Sequence, residues 1–235
     1  STLLASSAAS DVYKRQLYST LLGSDNVSAL TIASFVGRDL VSRRGGGSPI
    51  AAFVTEMNNL ARSLRMAKTR FTAPHGLDAG NSVSTSCALD MALLGVYSMQ
   101  NPAFCYIVSQ ASRRIEVQSQ TKGRTMYDIS NNNKLMSSPG VDGIKAGTSR
   151  AAGPCLLLSV TRNAISRRSP QTGTEVIYPQ RMIIVVLGSA NRYPLAKQMM
   201  TTGWRVWENW QASGMDMKDP KEFVQLPVKS GTEKR

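Results

Sequence analysis

A chain of 235 residues with 42 % hydrophobic content is long enough to bury a core in one domain or two closely joined subdomains, which excludes an intrinsically disordered protein. The formal net charge of +13 is spread over pairs such as Arg43-Arg44, Arg113-Arg114 and Arg167-Arg168 and not gathered in a basic tail, so it implies anionic partners. Zinc-knuckle spacing, an RNP-like aromatic strand and a basic helix with interleaved aromatics are all missing, which argues against nucleic acid and leaves anionic polymers or a membrane surface, while no run of about 18 apolar residues would cross a bilayer.

In chain order, the first residues are set aside. Ser6 to Gln16 matches the in-frame translation of an adaptor used in transposase-based sequencing libraries, so residues 1–16 are read as a non-native segment. Leu17 to Leu22 then reads as the end of a helix, and Val27 to Gly37 as a second helical run. After the Gly45-Gly46-Gly47 loop, Ser48 and Pro49 form an N-cap and N1 pair. Ile50, Phe53, Val54, Met57, Leu60, Ala61 and Leu64 keep helical spacing behind them. Further helices are predicted from about Ser84 to Met99 and from Pro102 to Val108.

From Arg113 the texture changes to short apolar alternations at Ile115 to Ser119, Thr125 to Ile129, Val141 to Thr148, Cys155 to Thr161 and Met182 to Gly188, which read as an antiparallel sheet. Arg162 to Arg181, with a Thr172-Gly173-Thr174 turn, is predicted to be an extended surface hairpin. A last helix starts at Pro194 and places Leu195, Met199, Met200, Val206 and Trp207 on one side, for packing across the sheet. Trp204 and Trp207 are expected in that core. Cys87, Cys105 and Cys155 lie far apart in apolar contexts without metal-ligand spacing, so they are expected to be buried packing residues.

Two segments carry chemistry. Ser24-Asp25-Asn26 sits at a helix junction, and Lys145-Ala146-Gly147-Thr148 lies on a strand. A serine acyl-transferase without a His-Asp pair moves the serine proton through a Ser-x-x-Lys, Ser-x-Asn and Lys-Thr-Gly set. The two segments fit the second and third parts in order and spacing, with one change at Ala146. Taken singly, either reads equally well as a helix cap or a turn. His75 is the only histidine, and no Gly-x-Ser-x-Gly elbow accompanies it. Ser119-Gln120-Thr121-Lys122 matches Ser-x-x-Lys but follows Ser-x-Asn and lies between strand-like runs, so it is read as chance.

The surrounding text sharpens these signals: Phe71-Thr72-Ala73-Pro74-His75-Gly76-Leu77-Asp78, then Ser84-Thr85-Ser86 before Asp90-Met91-Ala92, then Val141-Asp142-Gly143-Ile144 ahead of Lys145. From about Tyr18 to Trp204 the chain resembles the D-alanyl-D-alanine carboxypeptidase family, the low-molecular-mass penicillin-binding proteins. The resemblance implies an α+β fold of the β-lactamase/transpeptidase type, with a helical lobe at about 17–112 and an antiparallel sheet lobe at about 113–212 closed by the C-terminal helix. Residues 213–235 then form a flexible tail. It implies removal of the terminal D-alanine of peptidoglycan stem peptides through an acyl-enzyme, inhibition of the intact parent by β-lactams, no cofactor or metal, and a site outside the cytoplasm.

By the same resemblance, Ser24 belongs to a proton relay, Asn26 presents its amide to the peptide, and Lys145 is a fixed cation that attracts the terminal carboxylate. Gly147 permits close approach, and the Thr148 N–H forms half of an oxyanion hole. Ala146 stands where the family has threonine, whose hydroxyl helps bind the carboxylate; Thr148, Ser149, Arg150 and Arg192 are candidate replacements. Ser-x-x-Lys precedes Ser-x-Asn in the family, so the nucleophile is expected upstream of Leu17, the fold is expected to be incomplete at its N-terminus, and this chain is expected to be inactive. His75, Asp78 and Asp142 are read as structural. Two alternatives remain: a serine β-lactamase of the same fold, although no Glu-x-x-x-Asn lies between Ser24 and Lys145, and a non-catalytic peptidoglycan-binding relative. Oligomeric state is left open.

Overall fold

The computed structural model describes residues 13–77, 83–119, 123–168 and 173–214. Residues 13–21 are helical and form α1; α2 spans Asn26–Arg44, α3 Pro49–Ser63, α4 Ala88–Ser98 and α5 Pro102–Val108. The strands β1 Ser112–Ser119, β2 Gly123–Ser130, β3 Val141–Ser149, β4 Gly153–Arg168 and β5 Glu175–Val186 follow, and α6 spans Arg192–Ala212. Helices first, then strands closed by a helix, is the expected α+β order. α1 runs through residues 13–16, the described end of the adaptor-like segment. Residues beyond 214, Asp78 and the Gln120-Thr121-Lys122 part of the chance motif lie outside the described residues.

The three-stranded sheet has order β3-β4-β5, antiparallel throughout. β4 carries the unbroken run Leu156-Leu157-Leu158 because both of its faces are covered. Leu156, Leu158 and Val160, with Ile184 and Val186, pack against Ala196 and Trp204 of α6. Leu157 and Ile183 on the other face meet Met99 and Val108 from the helical side. Each such buried aliphatic side chain stabilises the fold by about 1.5–3 kcal/mol. Trp204 is in this core as expected, with the Arg162 guanidinium 4.4 Å over its ring, and Trp207 Nε1 donates to Gln180 Oε1 (2.8 Å).

Three expectations are corrected. First, the strands do not form one sheet: β1 and β2 make a separate antiparallel hairpin. Its Ile115 and Ile129 pack with Tyr18 of α1, Leu22 just after it and Ile107 of α5, so the hairpin is seated on the helical lobe. Second, α4 starts at Ala88 and not at Ser84, because the preceding residues are tied to the chain at 70–72. Thr85 bridges Arg70 in both directions (2.9 Å each), and Ser84 Oγ accepts from the Thr72 N–H (3.0 Å). Third, the three cysteines are free and only half-buried. The extended hairpin expected over Arg162 to Arg181 is present: β4 and β5 continue through it, pairing Ile165 with Tyr178 and Arg168 with Glu175.

The helical lobe closes through α2, α3 and a cluster of Ala61, Leu64 and Met66 with Phe71, Met91 and Leu94. Gly37 of α2 lies directly against the start of α3, where any Cβ would collide with the Pro49 carbonyl, so only glycine allows this approach. Asp90 is buried at 4 % exposure and is satisfied by the Lys68 N–H (2.8 Å) and the Thr69 hydroxyl (2.7 Å).

Candidate active site

The turn between α1 and α2 is built by three consecutive residues. Ser24 takes φ 60°, a left-handed conformation that residues with a Cβ seldom adopt. This redirects the chain so that Asp25 becomes the N-cap of α2, accepting from the N–H groups of Val27 (3.3 Å) and Ser28 (2.9 Å) and from the Ser28 hydroxyl. The Ser28 hydroxyl bond, with the backbone bonds from Ser28 and Val27, holds the Asp25 carboxyl below its usual range against a smaller opposing desolvation. Asn26 is therefore the first residue of α2, and both Ser24 and Asn26 line a cleft of about 400 Å³.

The opposite wall is β3, an edge strand of the described sheet. Lys145 Nζ donates across the cleft to Ser24 Oγ and also to the Ala146 carbonyl (2.8 Å). Asn132, in the loop before β3, donates its Nδ2 to the Gly23 carbonyl (2.9 Å) and to Ser24 Oγ (3.2 Å). Burial, and then the nearby positive charge of Arg192, lower the Lys145 pKa from 10.5 to about 8. Gly147 is open to the cleft, since a Cβ there would meet nothing within 4 Å. Its lack of a side chain answers no packing need of the free protein and leaves room beside Lys145.

Not every residue singled out in the sequence faces the ligand space. Ala146 lines the cleft, but its methyl is 3 % exposed and belongs to the core between the sheet and α6, so a threonine hydroxyl at this position would enter an apolar cluster. Arg192 is not among the residues lining the cleft; at the start of α6 its Nη1 donates to the carbonyls of Gly147 (2.6 Å) and Cys155 (3.2 Å) and to the Thr148 hydroxyl (3.0 Å). It therefore braces β3 from behind and acts on the cleft through charge. Arg181 is similarly occupied with Asp142 (2.8 Å), which makes Asp142 a structural partner. His75 does line the cleft, but its Nδ1 accepts from the Leu77 N–H (3.1 Å) and so shapes its own turn.

Sequence reasoning missed Thr20 and Cys155, which line the cleft, and Asn132, which bonds Ser24. Asn132 stands in an Asn-Asn-Asn run whose members look alike in sequence, and only the fold brings one of them to Ser24. Cys155 pairs with Gly147 across the β3–β4 ladder, which places it beside the cleft. The period-2 pattern of the two strands carried that signal once their pairing was known.

The model of the D-alanyl-D-alanine carboxypeptidase family matches residues 5–169, more than half of the chain and including both motifs. This chain belongs to the D-alanyl-D-alanine carboxypeptidase family. The match begins inside the segment read as adaptor-like. D-alanyl-D-alanine carboxypeptidase DacC of Escherichia coli is 28 % identical over 162 residues, covering 67 % of this chain and 34 % of DacC. The chain thus spans about a third of that relative's length. The crystal structure of the Streptomyces K15 DD-transpeptidase shares the fold, with TM-score 0.62, 24 % identity, and 81 % of this chain and 67 % of that one covered. Penicillin-binding protein D2 of Listeria monocytogenes, solved in a cefotaxime-bound form, gives TM-score 0.56 at 26 % identity over 82 % of this chain and 66 % of that one. Membership of this family and the α+β transpeptidase-like fold are thereby shown together.

Proposed function

We propose that this chain carries the Ser-x-Asn and Lys-x-Gly side of a serine carboxypeptidase site that releases the terminal D-alanine of peptidoglycan stem peptides through an acyl-enzyme. The supporting observation is the hydrogen bond from Lys145 Nζ to Ser24 Oγ, which joins motifs 121 residues apart on the two walls of one cleft. In such a reaction the peptide's terminal carboxylate needs a cation, the tetrahedral oxyanion needs N–H donors, and the departing amine needs a proton. Lys145 supplies the cation in a partly dewatered place, where its charge acts more strongly than in bulk water. Ser24, held between Lys145 and Asn132, is positioned to pass a proton toward the amine. The Thr148 N–H is the oxyanion donor. Pro154, its partner across the ladder, has no N–H and gives its carbonyl to Ser189 N–H (2.9 Å), which favours an outward Thr148 N–H.

The reaction also requires the serine of a Ser-x-x-Lys element, and the hydroxyls lining the cleft here are those of Thr20, Ser24, Thr148 and Ser149, with Lys145 as the lining lysine. β-Lactams fit as inhibitors because they present a carboxylate and a strained acyl group to the same cation and oxyanion donor. Peptidoglycan as substrate places the site outside the cytoplasm, and the +13 charge suits an envelope rich in anionic polymers and headgroups.

Titrating the chain with N-acetylated L-lysyl-D-alanyl-D-alanine, followed by NMR, tests this assignment. Saturable shifts confined to the cleft, lost in Lys145→Met, are expected. Absence of binding, or equal binding by the variant, would remove the assignment.

A further inference from the structure

Of the four hydroxyl-bearing residues lining the cleft, three have the hydroxyl engaged. Ser24 Oγ accepts from Lys145 and Asn132, Thr148 Oγ1 accepts from Arg192 (3.0 Å), and Ser149 Oγ accepts from the Ala152 N–H (3.1 Å). Thr20 Oγ1 is buried and has no hydrogen-bond partner. Buried hydroxyls are almost always satisfied, because leaving one unpaired forfeits its bonds to water without return. A threonine in a helix commonly satisfies itself on a carbonyl of the preceding turn. Thr20, which lies within α1, does not.

Its position explains what such a group is for. Thr20 lies near the end of α1, which stops at residue 21, and lines the same cleft as Ser24 and Lys145. Threonine in a helix populates two χ1 rotamers, and exchange between them swaps the hydroxyl for the methyl at the cleft surface.

Resting on the carboxypeptidase assignment above, we propose that Thr20 is a further substrate-binding residue, whose hydroxyl completes its hydrogen bonding on a backbone amide of the D-alanyl-D-alanine peptide. In the free protein the orphaned hydroxyl is a cost, and in the complex it becomes a contact. Replacing it by an isosteric methyl therefore has opposite effects on the two states.

The test compares Thr20→Val, Thr20→Ser and Lys145→Met with the wild-type chain, in thermal unfolding and in titration with N-acetylated L-lysyl-D-alanyl-D-alanine. Thr20→Val is expected to unfold at the same or a higher temperature and to bind about three- to tenfold more weakly, the equivalent of one lost hydrogen bond. Thr20→Ser, which keeps the hydroxyl, restores most of the affinity. Unchanged affinity in Thr20→Val overturns the proposal while leaving the carboxypeptidase assignment intact, provided Lys145→Met still abolishes binding. A lowered melting temperature in Thr20→Val also overturns it, since the hydroxyl would then be serving the fold. No binding by the wild-type chain overturns both.

Discussion

Lys145 is the residue on which fold and chemistry disagree. The interior lowers its pKa to about 8 from 10.5, chiefly by burial and next by the charge of Arg192. The protonated form is therefore disfavoured in the folded chain, and its cost is fully present below about pH 8. Between about 8 and 10.5 the unfolded chain binds the extra proton and the folded one does not, so this lysine's contribution to stability rises with pH across that window. The full difference is on the order of 3 kcal/mol. Lys145→Met removes the buried charge, so at pH 7 the variant is expected to be at least as stable as wild type, with its advantage shrinking as the pH approaches 10. Urea midpoints across pH 7 to 10 read this directly. Binding of a carboxylate peptide has the opposite trend, because it uses the ammonium: wild-type affinity is expected to fall as pH rises through about 8. A flat profile in both measurements would mean that Lys145 is fully solvated and neither strained nor functional.

At the scale of elements, the proposed catalytic motif and a helix cap are the same three residues. Asp25, the middle of Ser-x-Asn, caps α2, and its neighbours on either side enter the cleft. Asp25→Ala is expected to lower stability by about 0.5–2 kcal/mol and Asp25→Asn far less, because asparagine caps nearly as well. The carboxylate's pKa is depressed, so this contribution is present above the unfolded value of 3.8 and fades as the pH falls below it. Unfolding of both variants at pH 7 and pH 3 checks the sign, and equal losses at both would discard the cap. Much of this layout is legible in the sequence: the Ser48-Pro49 start of α3, the Pro102 start of α5 and the period-2 strands follow from local rules. What is not legible depends on partners far along the chain. Ser84 to Cys87 has the pattern of a helix start, yet the bridge to Arg70 claims it for an extended segment. The alternation in β1 and β2 announces strands without saying that Tyr18 and Ile107, and not the main sheet, will cover them. Asn132 and Thr20 acquire meaning only once β3 and α1 face each other.

At the scale of the whole molecule, the helical lobe and the sheet meet along two adjoining seams. One is apolar, where Met99 and Val108 pack on Ile144 with Leu21, Leu157 and Ile183 around them. The other is polar, where Lys145 and Asn132 reach Ser24 and Gly23. The polar seam decides whether any serine in the cleft can attack an acyl group. A nucleophilic serine needs a base that takes its proton and an oxygen with a lone pair free to attack. Ser24 Oγ accepts from both an ammonium and an amide, and below about pH 8 Lys145 holds its proton and is no base. Ser149 accepts from the Ala152 N–H and has no lysine hydrogen-bonded to it. On the proposed reading the cleft offers a carboxylate-binding cation and an oxyanion donor, and among the described residues no lining hydroxyl has a base beside it. Benzylpenicillin at pH 7 is expected to leave the intact mass of this chain unchanged, while the N-acetylated D-alanyl-D-alanine peptide still binds. An added penicilloyl mass that disappears in Ser24→Ala would show instead that Lys145 and Ser24 act as a base and nucleophile pair, and would move Ser24 from relay to attacking group.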